Sequence, residues 1–215
     1  MTSSAPRPEL VRIAVFAKAP VAGEVKTRLA PLLGAAGAAE LHASLVRHAL
    51  ATALGSAVGP VELWCAPDES HPFFARCAHD FGVALHAQRG ADLGERMGEA
   101  FGASLAQAIP LVLIGSDCAA MEAAHLREAA RALRSHDAVV APAEDGGYVL
   151  IGLSRPAPTI FGGIEWGAPT VMERTRANLA RAGVRWHELE TLWDVDRPED
   201  YARLRQSGLL AEAHS

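Results

Sequence analysis

The chain has 215 residues, half of them hydrophobic, and a formal charge of −5 from 25 acidic and 20 basic side chains. That length and apolar content suit one domain with a sizeable core; so mild an acid excess, with no Lys/Arg run among aromatics, excludes a nucleic-acid-binding surface. Three cysteines (Cys65, Cys77, Cys118) without a C-x-x-C pair exclude a disulfide framework and a cysteine zinc site, and the nine histidines show no H-E-x-x-H spacing.

Strand-like and helix-like runs alternate along the chain. Residues 12–17 are a short apolar run of the kind that makes a buried strand. After a loop, an Ala/Leu-rich helix is predicted over 35–54, stopped by Gly55 and Gly59. Residues 61–65 predict a second strand, 71–81 a short helix closed by Gly82, and 83–87 a third strand. A helix over 93–108 precedes the run 111–117, which reads as a strand buried on both faces of a parallel sheet. Then come a helix over 121–134, strands over 137–141 and 148–153, and a Gly-rich irregular loop over 159–167. A helix over 169–182 ended by Gly183, a strand over 186–192 and a helix over 198–206 complete the series. No repeat, low-complexity tract or linker divides the chain, so 11–206 is read as one domain between a flexible N-terminus (1–10) and a C-terminal tail (207–215). This alternation predicts a three-layer α/β/α sandwich around a mostly parallel sheet. The first eight residues lack the apolar centre of a secretory signal, and no apolar stretch approaches the ~18 residues of a membrane span. The expectation is a cytoplasmic protein without membrane insertion.

In open α/β sheets the ligand crevice lies just outside the carboxyl ends of the strands, so the residues that follow predicted strands are the candidates for chemistry. The first such loop carries Lys18, Lys26 and Arg28. Lysine is a movable point charge and arginine a planar fork, and both suit a pyrophosphate; an exposed basic loop would look the same. Val25 stands where an NTPase P-loop needs glycine before Lys26-Thr27, and no Gly-x-Gly-x-x-Gly turn is present. Farther on, Asp92 is best read as a helix cap with Glu95 completing a capping box, while Arg96 could reach the same pocket. Asp117 follows a Gly-Ser step. It is placed to hold a divalent cation on a phosphate, or to cap the next helix. In Glu144-Asp145-Gly146-Gly147, Asp145 could bind or deprotonate a hydroxyl, or simply form the turn that Asp-Gly favours. Strand alternation puts Asp194 and Asp196 on one side of an extended segment. Asp194 is read as a metal ligand, and Asp196, ahead of Pro198 and Glu199, mainly as a helix cap. His48, Trp64, Trp166 and Trp186 are read as packing residues.

Taken together, the segments FAKAPVAGEVKTRLAP, GADLGERM, LIGSDCAAM, AEDGGYVLIGL and DVDRPEDYARL resemble the nucleotide-diphospho-sugar transferases of the GT-A type. More narrowly they resemble a bacterial glycosyltransferase-like family, some of whose members are assigned to arsenosugar biosynthesis. The resemblance runs over residues 11–204. It implies the GT-A fold, a Mg²⁺ or Mn²⁺ ion on Asp117 and Asp194, and Lys18, Gly23, Lys26, Arg28 and Arg96 toward the nucleotide phosphates. It further implies Asp145, with Glu144, on the acceptor side. Three departures are visible: Ala119-Ala120 where proline usually follows the Asp-Cys step, Ala22 where the loop commonly has proline, and Arg197 where threonine is usual. None removes a charged group. The expected activity is metal-dependent transfer of a sugar from a nucleotide-diphosphate sugar to a small-molecule acceptor. The same superfamily holds guanylyl- and cytidylyltransferases, so transfer from an NTP to a phosphorylated acceptor is the alternative, and nucleotide binding without turnover a further one. Nothing in the chain specifies an oligomeric state; a homodimer is compatible with it.

Overall fold

A computed structural model of the chain describes residues 10–209; residues 1–9 and 210–215, which hold most of the expected flexible N-terminus and C-terminal tail, lie outside the described residues. The strands are β1 (Arg12–Lys18), β2 (Val61–Ala66), β3 (Ala84–Ala87), β4 (Leu111–Gly115), β5 (Ala138–Pro142), β6 (Tyr148–Leu153) and β7 (Trp186–Glu188). The α-helices are α1 (Ala30–Ser56), α2 (Pro72–Phe81), α3 (Leu93–Leu105), α4 (Ala123–Ala132), α5 (Val171–Arg181) and α6 (Pro198–Ser207). One seven-stranded sheet runs β3-β2-β1-β4-β6-β5-β7. Its pairs are parallel except those of β6, which lies antiparallel to β4 and β5. The mostly parallel sheet is therefore as expected, but β4 is parallel to a neighbour on one side only. The reason is the connection between β5 and β6: residues 143–147 are too few for a crossover, so the chain folds straight back.

The side-chain period of two sorts each strand between two layers. Ile13, Val15 and Ala17 of β1, with Leu63 and Cys65 of β2 and Val112 and Ile114 of β4, pack under α1, α2 and α4 through Val46, Leu50, Phe74, Leu126 and Ala129. Their neighbours Ala14, Phe16, Trp64, Leu111 and Leu113 face the opposite layer, where α3 contributes Met97 and Phe101 and α5 contributes Met172 and Leu179. A smaller third cluster seats α6 and the segment before it, joining Leu204, Trp193 and Val195 to Leu29 and Leu45.

Helix ends follow local chemistry. Asp92 accepts from the Glu95 amide at 2.9 Å, the expected cap, while Glu95 accepts from the Ala91 amide at 2.8 Å, one residue before the amide that a capping box would engage. Gly34 adopts φ 72, ψ 162, which breaks the helix after its first turn, so regular α1 begins where the sequence predicted it. One expectation needs correction. The strand predicted over 186–192 pairs only to Glu188, after which an isolated bridge joins Leu192 to Ala143. Thr27–Ser56, within which an 18-residue window has a mean hydropathy of 1.3, is by length and composition alone long and apolar enough to cross a membrane. Glu40, His42, Arg47 and His48 interrupt its apolar runs, and in the fold its inner face is taken by the sheet and α4.

Gly152 sits in β6 between β4 and β5, where an added Cβ would lie 2.7 Å from Val139 and 3.1 Å from Val112. Gly152→Ala is expected to lower stability by about 1–3 kcal/mol through overpacking, measured as a shift of the urea midpoint at unchanged slope.

Candidate active site

β1 has β2 on one side and β4 on the other, and the chain reaches those two neighbours by crossovers in opposite directions, so a crevice opens at the carboxyl ends of β1 and β4. A cleft of about 450 Å³ lies there, lined among others by Lys18, Lys26, Arg28, His42, Gln88, Ser116, Asp117 and Asp196. Its size suits a nucleotide-sized ligand. A neighbouring cleft of about 240 Å³ shares Lys18, Glu24 and Val25 and adds Arg96. The loop after β1 turns through Gly23 at φ 87 and brings Lys26 inward with its backbone in the left-handed region, φ 48 and ψ 38. A side-chain-bearing residue held there carries strain that the surrounding structure must offset.

The offset is visible at the tip of the side chain. Lys26 Nζ donates to Asp117 Oδ1 and to Asp196 Oδ1, each at 2.8 Å, and the lysine side chain is only 4% exposed. Asp117 follows β4, and Asp196 stands on the segment that leaves β7. That segment is pinned by backbone bonds, among them Val195 N donating to Asp117 O at 2.9 Å, Glu144 N to Leu192 O at 2.9 Å and Leu192 N to Pro142 O at 3.0 Å. Arg28 Nη1 lies 4.0 Å from Asp196 Oδ2 with most of its side chain in solvent. Burial works against the charge of Lys26, but the Asp117 and Asp196 carboxylates outweigh it and hold its pKa above the usual lysine range. Burial also opposes the charge on Asp117, yet the Lys26 ammonium and the His42 ring beside it hold its pKa well below the usual carboxylate range. Asp194 behaves in the opposite sense. Burial pushes it up to about 8, and the carboxylates of Asp117, Asp196 and Asp145 add to the rise against the pull of Lys26.

Two readings of the sequence are settled here by capping. Helix α4 is capped by Glu122 with His125, so Asp117 is free of the capping role it could have held. Asp196 does not cap α6. Asp200 does so, accepting from the amides of Asp196 and Arg197 at 3.1 and 2.8 Å, because the helix begins at Pro198 and its third residue is Asp200 rather than Glu199. The Asp196 side chain is thereby released to Lys26. Sequence reasoning missed this role, and it missed His42. The signal for His42 was a polar residue on the inward stripe of α1, between buried Ala38, Ala39, Leu45 and Val46.

The remaining candidates stand apart from the main cleft lining. Asp145 Oδ1 accepts from the Gly147 amide at 2.8 Å, a local turn, and its influence on Asp194 places it near the acid cluster. Glu144 pairs with Arg203 of α6 at 2.9 Å, and that guanidinium lies 4.2 Å over the Trp193 ring. Arg96 Nε donates to Gly90 O at 3.1 Å at the second cleft. Among the expected packing residues, Trp64 stacks between Phe16 and His86, Trp166 meets Tyr148 edge-on, Trp186 packs against the α3/α5 layer, and the His48 ring bonds Ala119 O at 3.1 Å. Among the described residues no group of three or more His, Cys, Asp or Glu side chains is arranged to hold a metal ion.

The fold is that of nucleotide-diphospho-sugar transferases. A "putative nucleotide-diphospho-sugar transferase" from Desulfovibrio desulfuricans G20 is 29% identical, covering 94% of this chain and 97% of its own, with a TM-score of 0.80. A nucleotidyl transferase from Methanothermobacter superposes at a TM-score of 0.63 with 15% identity, over 94% of this chain and 99% of its own. A CMP:2-keto-3-deoxy-manno-octonic acid synthetase complexed with CTP superposes at 0.60, also with 15% identity, over 94% and 99%. The first two neighbours are named as transferases and the third as a synthetase. No curated protein matches the chain. Residues 49–168 match the family described as "Uncharacterized protein conserved in bacteria (DUF2064)", and the chain belongs to that family.

Because folded Asp194 holds its proton to about pH 8 while an ordinary aspartate releases it near 3.8, the folded state binds the extra proton between those values. Stability attributable to this group therefore falls as pH rises across that window. Asp194→Asn is expected to stabilise the protein more at pH 8 than at pH 5, read from urea midpoints at the two pH values; an equal effect at both would contradict the assignment.

Proposed function

We propose that this protein transfers a sugar from a nucleotide-diphosphate sugar to a small-molecule acceptor, using a divalent cation, Mg²⁺ or Mn²⁺, held by Asp117 and Asp194. The observation that carries the reading is the meeting of a cation-rich loop with a cluster of carboxylates at the carboxyl ends of β1 and β4. Asp194 is pushed up first by burial and then by the Asp117, Asp196 and Asp145 carboxylates around it, and such a gathering of acids fits a divalent cation. Mg²⁺ commonly takes one or two protein carboxylates and completes its shell with water and substrate phosphates, so two aspartates suffice. When bound, the cation would supply Lewis-acid stabilisation of the diphosphate leaving group. Lys18, Lys26 and Arg28 would hold the phosphate oxygens, with Gly23 shaping the loop and Arg96 reaching from the second cleft. Asp145 keeps one oxygen in its turn and would offer the other to the acceptor hydroxyl; Glu144, paired with Arg203, would hold that loop on α6.

The likeness to the Desulfovibrio protein favours sugar transfer. Nucleotidyl transfer is the second reading, named for the Methanothermobacter neighbour, whose likeness, like that of the CTP-bound synthetase, is one of fold. It calls for a further basic site for the acceptor phosphate. Arg155, the clearest spare cation near the later motifs, lies past the end of β6, at the opposite edge of the sheet, and its guanidinium is bound to Asp137 at 3.3 Å and to Gly183 O at 3.2 Å. This favours the first reading.

Incubation with nucleotide sugars and Mg²⁺ or Mn²⁺ is expected to release the nucleoside diphosphate. Pyrophosphate released from NTPs with phosphorylated acceptors would establish the second reading instead, and binding without either product would make the protein a nucleotide-binding module. Asp117→Asn is expected to remove metal-dependent nucleotide binding and lower turnover by about a hundredfold or more, with the far-UV circular dichroism unchanged. A variant that binds nucleotide and metal normally would show the ligand assignment to be wrong.

A further inference from the structure

His42 occupies a position where helix packing has no use for a polar ring. It lies on the buried face of α1, 4% exposed, and lines the cleft. Its Nε2 is 3.0 Å from the carbonyl oxygen of Lys18, the last residue of β1. A carbonyl can only accept, so Nε2 carries a proton and donates it there. In the neutral ring the other nitrogen, Nδ1, then presents a bare lone pair. That atom is buried and makes no hydrogen bond. It faces Asp117 Oδ1 at 3.7 Å, beyond hydrogen-bond reach. Two acceptors aimed at each other in a buried place are unfavourable unless positive charge lies between them, either a second proton on the ring or a metal cation. The Lys26 ammonium already touches that same Asp117 oxygen.

We propose that His42 Nδ1 is a nitrogen ligand to the divalent cation on Asp117, and that it biases the site toward transition-metal dications such as Mn²⁺ over Mg²⁺. The inference rests on the reading above that Asp117 holds a cation, and it adds a ligand from α1 to the carboxylate at the end of β4. Metal-binding histidines characteristically donate the other ring N–H to a carbonyl or carboxylate, which fixes the tautomer and the ring plane; the Lys18 carbonyl does this for His42. Imidazole nitrogen favours transition metals, whereas Mg²⁺ prefers an all-oxygen shell. The histidine and Asp117, with the phosphates of the nucleotide, make a mixed nitrogen–oxygen set without a third protein carboxylate in line.

The test uses the full chain with Mn²⁺ and inorganic pyrophosphate, which contains no nitrogen. Pulsed electron paramagnetic resonance of the bound Mn²⁺ is expected to show nitrogen coupling that changes when the histidines carry the heavy nitrogen isotope. His42→Gln keeps a donor within reach of the Lys18 carbonyl but lacks the ring nitrogen. It is expected to lose the coupling and to lower Mn²⁺ affinity about tenfold or more, while Mg²⁺ affinity changes much less, both by calorimetry. Bound Mn²⁺ without nitrogen coupling in the unaltered protein, or coupling that survives in His42→Gln, overturns the proposal and leaves the cation on Asp117 standing. Absence of any Mn²⁺ binding overturns both.

Discussion

The Lys26 ammonium, gripped by Asp117 and Asp196 at 2.8 Å each, is the contact on which the site's architecture depends. It joins three pieces of chain that lie far apart in sequence: the loop after β1, the end of β4 and the strap beyond β7. A nearly buried ammonium is costly on its own, and so are carboxylates crowded at one spot; each makes the other tolerable. The lysine reaches this position from a left-handed backbone conformation that an ordinary side chain avoids. Strain of that kind, held by two ion pairs, is characteristic of a residue placed for chemistry rather than for packing.

The sheet explains why these pieces can meet. Parallel strands send all their carboxyl ends to one edge, so the loops after β1 and β4 share a crevice by construction. The strap beyond β7 has no such guarantee. It crosses the same edge by pairing Leu192 with Ala143 and by donating from Val195 to the Asp117 carbonyl. Trp193 and Val195 anchor it in the third cluster, where Leu29, just past Lys26, is also buried. Packing of the basic loop and packing of the strap are thus one event, and the charges they carry are brought into register by apolar contacts a few residues away.

That coupling sets the limit of what local patterns disclose. Asp92 and Glu95 could be read as a cap because every atom involved lies within one turn of helix. The same reasoning failed at Asp196, where Asp200 rather than Glu199 reaches back to the Asp196 and Arg197 amides and tertiary contact with Lys26 claims the Asp196 carboxylate. Glu144 was visible as an acid beside Asp145, but its pairing with Arg203 depends on where α6 docks. His42 carried only the weak signal of a polar side chain on an apolar stripe; its value comes from Lys18 and Asp117, which no helical periodicity can place beside it.

By itself the sequence determined the alternation of strands and helices, the layered α/β/α class, and which loops would line the crevice, because period, caps and strand ends are short-range properties of the chain. It also singled out Lys26, Asp117 and Asp194 through the order of the motifs. Only the tertiary structure decided that β6 runs backward, that Asp196 joins Asp117 on Lys26, and that Asp194 is buried among other carboxylates. The physical reason is that electrostatic partners are chosen by distance in space and by burial, and neither is a property of neighbouring residues along the chain.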